Sequence, residues 1–480
     1  MDVIRTGVSA LDEILGGGVP KNTMTLIAGV PGAGKTILAE QIAVQQAKAG
    51  GRVLIFTALS ESHESLLNTL RDFSFFDESL IGDRIQFISV QTVLHDGLNA
   101  TAEAIMSTVR VQHATVVVLD GFRGIAGFAT SPSDVRQFLY EVRSQLSLLG
   151  VTSFVTFETT LEQERDPGAN TVADGIVVMH HTLAGVQARR HIEVQKLRGR
   201  KHLGGLHAMQ ITADGVMCYP RHEALFRDAN HVVQDGRAEV GLPELNRMLD
   251  GGLNSGTCTL IAGNAGVGKT LIALHFLMAG VAVGEPGLYI GFGESASQLC
   301  AKAAFFGLDL EGAVERGAVE LYIVAPVEME VDVVAAGMRE RVERLGIQRL
   351  VIDSVVELEN AILEPNRAPN FFASLMNYTH ARAVTTVLTR ESAAVVGPDI
   401  TLRQSIGTVL AENLLVLRVI EYRNRQYRTI AVAKMRQSAF DPTLHELRIE
   451  RDRIRVLAPG ESNRTVLDEL ADLNTPQVAR

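Results

Sequence analysis

One eight-residue pattern occurs twice in this chain and constrains its fold more than any other feature. The sequence GVPGAGKT occupies positions 29–36 and GNAGVGKT occupies positions 263–270, so that Lys269 follows Lys35 by 234 residues. Each copy comes after a strand-forming stretch that ends in Leu-Ile-Ala-Gly and before a stretch with apolar residues at helical spacing. A glycine-rich turn between a strand and a helix is the setting of a phosphate-binding loop. The sequence therefore predicts two such loops.

The residue types in each loop fit the chemistry of a bound nucleotide. Glycines let backbone N–H groups converge on the β- and γ-phosphates, close to the positive end of the following helix. The loop lysines would neutralise phosphate charge, and the threonine hydroxyls would hold Mg²⁺. The predicted nucleotide-binding residues are Gly29, Gly32, Ala33, Gly34, Lys35, Thr36, Gly263, Gly266, Val267, Gly268, Lys269 and Thr270.

The segments around the loops repeat as well, which indicates a duplicated domain. Both copies begin with a Gly-x-x-x-Leu pattern and a double glycine, and in both a short strand and later a purely apolar strand follow the loop. Strands that alternate with helices, with Val/Ile/Leu runs, are typical of a parallel sheet covered on both faces. We therefore predict an α/β fold of two tandem P-loop domains, each a mostly parallel sheet flanked by helices. The predicted boundaries are 1–228 for the first domain, 229–237 for a linker, 238–457 for the second domain and 458–480 for a polar tail.

Composition excludes several classes of protein. A chain of 480 residues is too long for one ordinary core, and 46% hydrophobic with 21% charged residues is typical of a soluble globular protein. Three distant cysteines and the lack of an export signal favour a reducing, cytoplasmic location without a membrane partner. The apolar run at 271–283 is interpreted as a buried helix. A net charge of −10 argues against a protein that coats nucleic acid.

Acidic residues at strand ends are candidates for metal binding and catalysis. Asp120 and Asp353 each end an apolar strand about 85 residues after a loop, which suits the second Mg²⁺ contact of a nucleotide site. The alternative is an aspartate that caps a turn. Glu61 and Glu294 follow a neighbouring strand, where a carboxylate could polarise an attacking water or hydroxyl. The alternative for these two is a glutamate favoured electrostatically at a helix amino terminus.

A basic Lys-x-Arg pattern recurs near the end of each half. Lys196 and Arg198 carry it in the first half, and Lys434 and Arg436 in the second. A nucleotide at a subunit boundary needs positive charge from the next protomer, so we predict that these side chains reach a neighbour's γ-phosphate. Two alternatives stay open, a solvated basic strand edge and a strip that binds nucleic acid.

Taken together, these motifs resemble the RecA superfamily of ATPases and, within it, the KaiC family known from cyanobacterial clocks. The resemblance covers nearly the whole chain, and its most specific segment is VQKLRGRKH at positions 194–202. It implies a double-ring homo-hexamer with ATP at the subunit interfaces, and regulatory protein partners. It also implies ATPase activity in the first ring and a slow Ser/Thr autokinase and phosphatase cycle in the second, in a signalling or timing hub.

The chain departs from the family pattern at two places. The family has adjacent glutamates after the second strand, whereas Ser60 and Gly293 here replace the first of each pair. The family's adjacent Ser-Thr phosphoacceptors fall on Thr408-Val409, so the remaining candidate acceptors are Thr408 and Ser405. The missing glutamates suggest one alternative, a nucleotide-binding scaffold with negligible turnover. A second alternative, independent of these departures, is a DNA-dependent motor on the same fold.

Overall fold

The computed structural model describes residues 2–58, 63–158, 171–228, 235–364, 366–391, 411–422 and 425–457. The chain divides into two compact units, Met1–Leu225 and Phe226–Arg480, which are called the first and second unit below. Each unit is built on its own nine-stranded sheet.

The sheet of the first unit has a parallel part of six strands and an antiparallel part of three. The strands lie in the order β5-β4-β6-β7-β3-β8-β9-β10-β11, and the chain runs antiparallel only from β8 onward. A small separate sheet pairs β1 with β2. The strands are β1 Val3–Ile4, β2 Val19–Pro20, β3 Met24–Gly29, β4 Val53–Thr57, β5 Ile85–Ser89, β6 Val116–Asp120, β7 Thr152–Glu158, β8 Gly175–Ala184, β9 Gln187–Leu197, β10 His207–Thr212 and β11 Gly215–Tyr219.

Helices cover both faces of this sheet, which explains why its parallel strands are apolar throughout. Alternate residues point to opposite faces, so that Ile27 and Val118 pack in one cluster while Leu26 and Val117 pack in another. The helices are α1 Leu11–Ile14, α2 Lys35–Lys48, α3 His63–Leu70, α4 Gln91–Leu94, α5 Leu98–Gln112, α6 Phe122–Ala126, α7 Pro132–Leu148 and α8 His222–Leu225, with a 3₁₀ turn at Glu78–Leu80.

The second unit repeats this architecture strand for strand. Its sheet has the order β16-β15-β17-β18-β14-β19-β20-β21-β22, again with six parallel strands followed by three antiparallel ones. The elements are β12 Arg237–Ala238, α9 Pro243–Met248, β13 Leu253–Asn254, β14 Cys258–Gly263, α10 Lys269–Ala282, β15 Gly287–Gly291, α11 Ala296–Phe305, α12 Leu310–Glu315, β16 Val319–Ile323, α13 Val331–Leu345, β17 Arg349–Asp353, α14 Val355–Ala361, α15 Ala368–Ala381, β18 Thr385–Glu391, β19 Asn413–Tyr422, β20 Arg425–Lys434, β21 His445–Ile449 and β22 Ile454–Val456.

The segments around the predicted domain limits are described only in part. The Phe226 ring packs at an angle against the Tyr378 ring, with the ring centroids 4.8 Å apart, and Arg237 begins the short strand β12. Positions 229–234 of the predicted linker and the predicted tail at 458–480 lie outside the described residues.

The apolar run at 271–283 folds as predicted, because it forms most of the buried helix α10. Within the described ranges, no helix combines the length and the apolarity needed to cross a membrane.

Candidate functional site

Both glycine-rich loops adopt the same backbone conformation at the end of a central strand. Gly34 and Gly268 have φ angles of 101° and 111°, a left-handed conformation that a side chain would strain. A Cβ atom on Gly29 would lie 2.3 Å from the carbonyl oxygen of Met179 on the neighbouring strand β8. Glycine is therefore required by the geometry of the turn and by its close approach to the sheet.

The loop lysines are folded against the carbonyl groups of their own loops. Lys35 donates from Nζ to the Val30 oxygen at 2.9 Å, and Lys269 donates to the Gly263 and Asn264 oxygens at 2.9 and 2.7 Å. Burial lowers the pKa of both lysines, while nearby carboxylates oppose that shift. Each lysine is thus held inside its loop, in the position that a phosphate-binding lysine needs.

Each loop threonine is joined to a strand-end aspartate, as the metal-site prediction requires. Thr36 donates from Oγ1 to Asp120 Oδ1 at 3.1 Å, and Thr270 donates to Asp353 Oδ2 at 2.7 Å. Burial raises the pKa of Asp120, and the hydrogen bonds from Thr156 and Thr36 limit the rise. The two units therefore bring the predicted hydroxyl and carboxylate together in the same way.

Two threonines that the sequence analysis missed complete these clusters. Thr156 on β7 donates to Asp120 Oδ1 at 2.6 Å, and Thr389 on β18 donates to Asp353 Oδ1. Both follow the aspartate by 36 residues, so a comparison of the two halves could have identified them. Two residues further on, Glu158 and Glu391 end the same strands and exert the largest stabilising charge on the loop lysines.

Each aspartate cluster also has a polar side chain nearby that the other cluster lacks. In the second unit, the Tyr289 hydroxyl donates to Asp353 Oδ2 at 2.7 Å. In the first unit, Glu40 lies one helical turn after Thr36, is 1% exposed, and has no hydrogen-bond partner for either carboxylate oxygen among the described residues. Burial, and then the charge of Asp120, raise the pKa of Glu40 well above its ordinary value.

The predicted catalytic glutamates are described in one unit only. Glu294 follows β15, forms an ion pair with Lys302 on α11, and raises the pKa of Tyr289, so that its charge acts on the Asp353 cluster. The helix it precedes begins with a capping box between Ser295 and Gln298. Glu61 and the candidate phosphoacceptors Ser405 and Thr408 lie outside the described residues.

The Lys-x-Arg residues of the first unit lie toward the end of β3 that is opposite to their own loop. Arg198 donates from Nη1 to Asp174 Oδ1 at 3.4 Å, and Asp174 Oδ2 accepts the amide of Met24, the first residue of β3, at 3.2 Å. Lys196 pairs with Ile176 beside a β-bulge. The loop leaves the other end of β3, about 16 Å along the strand at 3.3 Å per residue.

The second unit has the same arrangement. Lys434 donates from Nζ to the Ala411 oxygen at 2.6 Å, and the next residue, Glu412, accepts the amide of Cys258, the first residue of β14, at 2.8 Å. Arg436 is exposed just beyond the end of β20. Neither pair of basic residues is thus brought to the nucleotide loop of its own unit.

Both halves of the chain match the model of a known protein family. The model of the KaiC ATPase family matches residues 4–223 and, a second time, residues 238–461. The chain belongs to the KaiC family.

Curated relatives match over nearly the same length. The chain is 27% identical to the circadian clock oscillator protein KaiC of Picosynechococcus, over 98% of this chain and 94% of that protein. It is 28% identical to KaiC 1 of Synechocystis, over 94% and 88%, and 27% identical to KaiC3 of the same organism, over 96% and 92%. The family and the two sheets confirm the predicted fold of two tandem RecA-like P-loop domains.

The KaiC-family site has the donor chemistry that Mg²⁺ and a nucleotide need. A hydroxyl and a carboxylate are hard oxygen donors, which Mg²⁺ prefers, and they lie within 3.1 Å of each other in both units. Each loop opens a helix of 14 residues whose positive end favours a phosphate. The residues present therefore fit both groups.

Proposed function

We propose that this KaiC-family chain is an ATPase with two sites for ATP and Mg²⁺, one in each unit. The observation that carries the proposal is the hydrogen bond between loop threonine and strand-end aspartate, which occurs in both units. A P-loop site holds Mg²⁺ with this pair of groups. Mg²⁺ would neutralise charge on the phosphates, and the loop lysines would share that task.

In the second site, Glu294 orients and deprotonates the nucleophile. Its carboxylate follows β15, which pairs with the strand that ends at Asp353, so it lies at the edge of the sheet where the loop binds phosphate. Lys302 holds one of its oxygens. Glu61 has the corresponding role in the first site, since it follows β4 at the corresponding point of the repeat.

The proposed assembly is a homo-hexamer in which each site is completed by the neighbouring subunit. Arg198 lies beside the start of β3, about 16 Å along that strand from its own loop, and Lys196 is level with Leu26, about 10 Å from the loop. Their charge is therefore available to another subunit and not to their own nucleotide. The same holds for Lys434 and Arg436 relative to β14. A cation supplied by a neighbour stabilises the charge that develops during phosphoryl transfer.

The second unit also carries the proposed autokinase activity, with Thr408 or Ser405 as the acceptor hydroxyl. Two of the relatives named above are circadian clock oscillator proteins and the third is a circadian clock protein, and this supports a role in timing or signalling with protein partners. The acceptor would receive the γ-phosphoryl group from ATP and release ADP, while Glu294 takes the hydroxyl proton.

Incubation of the full chain with Mg²⁺ and ATP tests these points together. We expect Mg²⁺-dependent release of phosphate, a hexamer by native mass spectrometry, and a phosphate on Thr408 or Ser405 by intact-mass and phosphopeptide analysis. Single-stranded DNA should leave the rate unchanged, whereas strong stimulation would favour a DNA-dependent motor. Nucleotide binding without any turnover would instead favour a scaffold.

A further inference from the structure

The two strand-end aspartates accept different numbers of side-chain hydrogen bonds. Asp353 accepts three, from Thr270 and Tyr289 on Oδ2 and from Thr389 on Oδ1. Asp120 accepts hydroxyl hydrogen bonds from two described residues only, Thr36 and Thr156. The additional donor in the second unit is a phenol.

The position of Tyr289 has a direct counterpart in the first unit. Tyr289 pairs with Val351 and Ile55 pairs with Val118, each two residues before the strand-end aspartate. Tyr289 is 4% exposed and Ile55 is fully buried, so both side chains are buried at the same position of the register. The sheet register is the same, and only the chemistry of the side chain differs.

A hydroxyl that donates to a carboxylate competes with the other groups that the carboxylate can hold. An ionised carboxylate offers about four lone-pair sites, and three hydroxyls take most of those on Asp353. Hydrogen bonds to a charged group are among the stronger ones in proteins, because they share its charge. Less of the charge on Asp353 is then available to a cation or to the water molecules around it.

The Tyr289 hydroxyl also keeps its proton. A phenol keeps its proton at neutral pH, because its ordinary pKa is about 10. The buried ring leaves the hydroxyl no alternative partner in solvent. The hydrogen bond to Asp353 is thus a constant feature of the site at neutral pH.

We propose that Tyr289 is a positioning residue that weakens the hold of the second site on its divalent cation, so that the two sites of one chain differ in cation affinity. The inference rests on the proposed function, because it concerns the cation of the same nucleotide site. It predicts that the first site, where Ile55 takes the position of Tyr289, binds the cation more tightly. The two sites would then respond to different ranges of Mg²⁺ concentration.

Titration of Mn²⁺ by electron paramagnetic resonance, with a non-hydrolysable ATP analogue, measures this affinity in the full chain. Lys35→Ala isolates the second site and Lys269→Ala isolates the first. In the Lys35→Ala background, Tyr289→Phe should tighten Mn²⁺ binding about ten-fold, which corresponds to about 1.4 kcal/mol. Tyr289→Ile, which copies the residue of the first site, should act in the same direction.

Tyr322→Phe is the matched control, because Tyr322 lies on the adjacent strand β16 and its ring contacts Arg341 and not the aspartate. This change should leave the Mn²⁺ affinity unaltered. Mn²⁺ affinity that stays the same or falls in both Tyr289 variants would overturn the inference while leaving the ATPase proposal intact. Failure of the unsubstituted sites to bind Mn²⁺ with nucleotide would overturn both.

Discussion

Arg198 and Lys35 lie next to opposite ends of the central strand β3 of the first sheet. Arg198 contacts Asp174, which accepts the amide of the first residue of β3, whereas Lys35 belongs to the loop that follows the last residue, Gly29. A basic side chain placed there cannot neutralise the nucleotide of its own unit. The arrangement supports a site that two subunits share.

The shared site predicts that two inactive variants restore each other. In a Lys269→Ala background, subunits with Lys35→Ala lack a working loop, and subunits with Lys196→Ala and Arg198→Ala lack the group supplied to the neighbour. Each variant should be nearly inactive alone. After subunit exchange in an equal mixture, about one interface in four combines an intact loop with the intact basic residues of its neighbour. The mixture should therefore regain about a quarter of the rate of the Lys269→Ala protein.

Phosphate release before and after mixing measures this recovery. Lys201→Ala, which changes an exposed lysine nearby, serves as the control and should stay active alone. A mixture no more active than the average of its two components would show that the basic residues do not act on a neighbour.

Glu294 is predicted to act in catalysis and not only through its ion pair. In the Lys35→Ala background, Glu294→Gln should slow single-turnover hydrolysis by about 10²-fold or more, the range expected for loss of a general base. Lys302→Ala removes the ion-pair partner but keeps the carboxylate, so it should slow the reaction much less. Equal effects of the two changes would indicate a structural role for the pair.

Because of the buried Glu40 side chain, we predict that the stability of the first unit depends on pH. Its raised pKa means that the folded state holds the proton while the unfolded chain loses it above the ordinary value of 4.5. The folded state is therefore most favoured below that pH, and stability is lost as pH rises toward the folded pKa, by at most about 1.4 kcal/mol per pH unit. Glu40→Gln should remove this loss.

Chemical denaturation of Glu40→Gln and the unsubstituted protein at pH 5 and pH 8 tests the sign. The gain in the free energy of unfolding should be larger at pH 8. Glu103→Gln changes an exposed carboxylate on α5 and should show no such trend. A gain independent of pH would mean that Glu40 does not hold a proton in the folded state.

Arg143 is predicted to stabilise the start of the central strand. It donates from Nε and Nη2 to the two oxygens of Asp174 at 2.8 and 2.7 Å, and Asp174 is largely buried. Arg143→Ala should lower the free energy of unfolding by about 2–3 kcal/mol, since it leaves a buried carboxylate poorly paired. Arg136→Ala, an exposed change on the same helix, should cost less than about 0.5 kcal/mol.

Much of the fold was predictable because the pattern of apolar residues is strong and occurs twice. The short strand and the later apolar strand predicted after each loop are present, among them Val53–Thr57, Gly287–Gly291 and Arg349–Asp353. The stretch with helical spacing after the first loop forms α2, which already begins at Lys35, since the loop lysine itself takes helical geometry. Local patterns do not show where a loop becomes a helix.

The aspartates and loops of the site were also predictable, but the contacts that the aspartates make with other strands were not. Thr156 reaches Asp120 from a strand 36 residues away, and only the pairing of β6 with β7 brings the two together. Tyr289 looks like an ordinary strand residue, because tyrosine is common in strands. Its hydrogen bond to Asp353 depends on the register of β15 and β17, which a sequence pattern does not specify.

The number of nucleotides bound per chain tests the central claim, that each unit holds its own site. Equilibrium binding of a non-hydrolysable ATP analogue with Mg²⁺ should give two per chain in the unsubstituted protein, and one in Lys35→Ala and in Lys269→Ala. Lys48→Ala, at the far end of α2, should retain two. One nucleotide per chain in the unsubstituted protein, or two in either loop variant, would contradict the account.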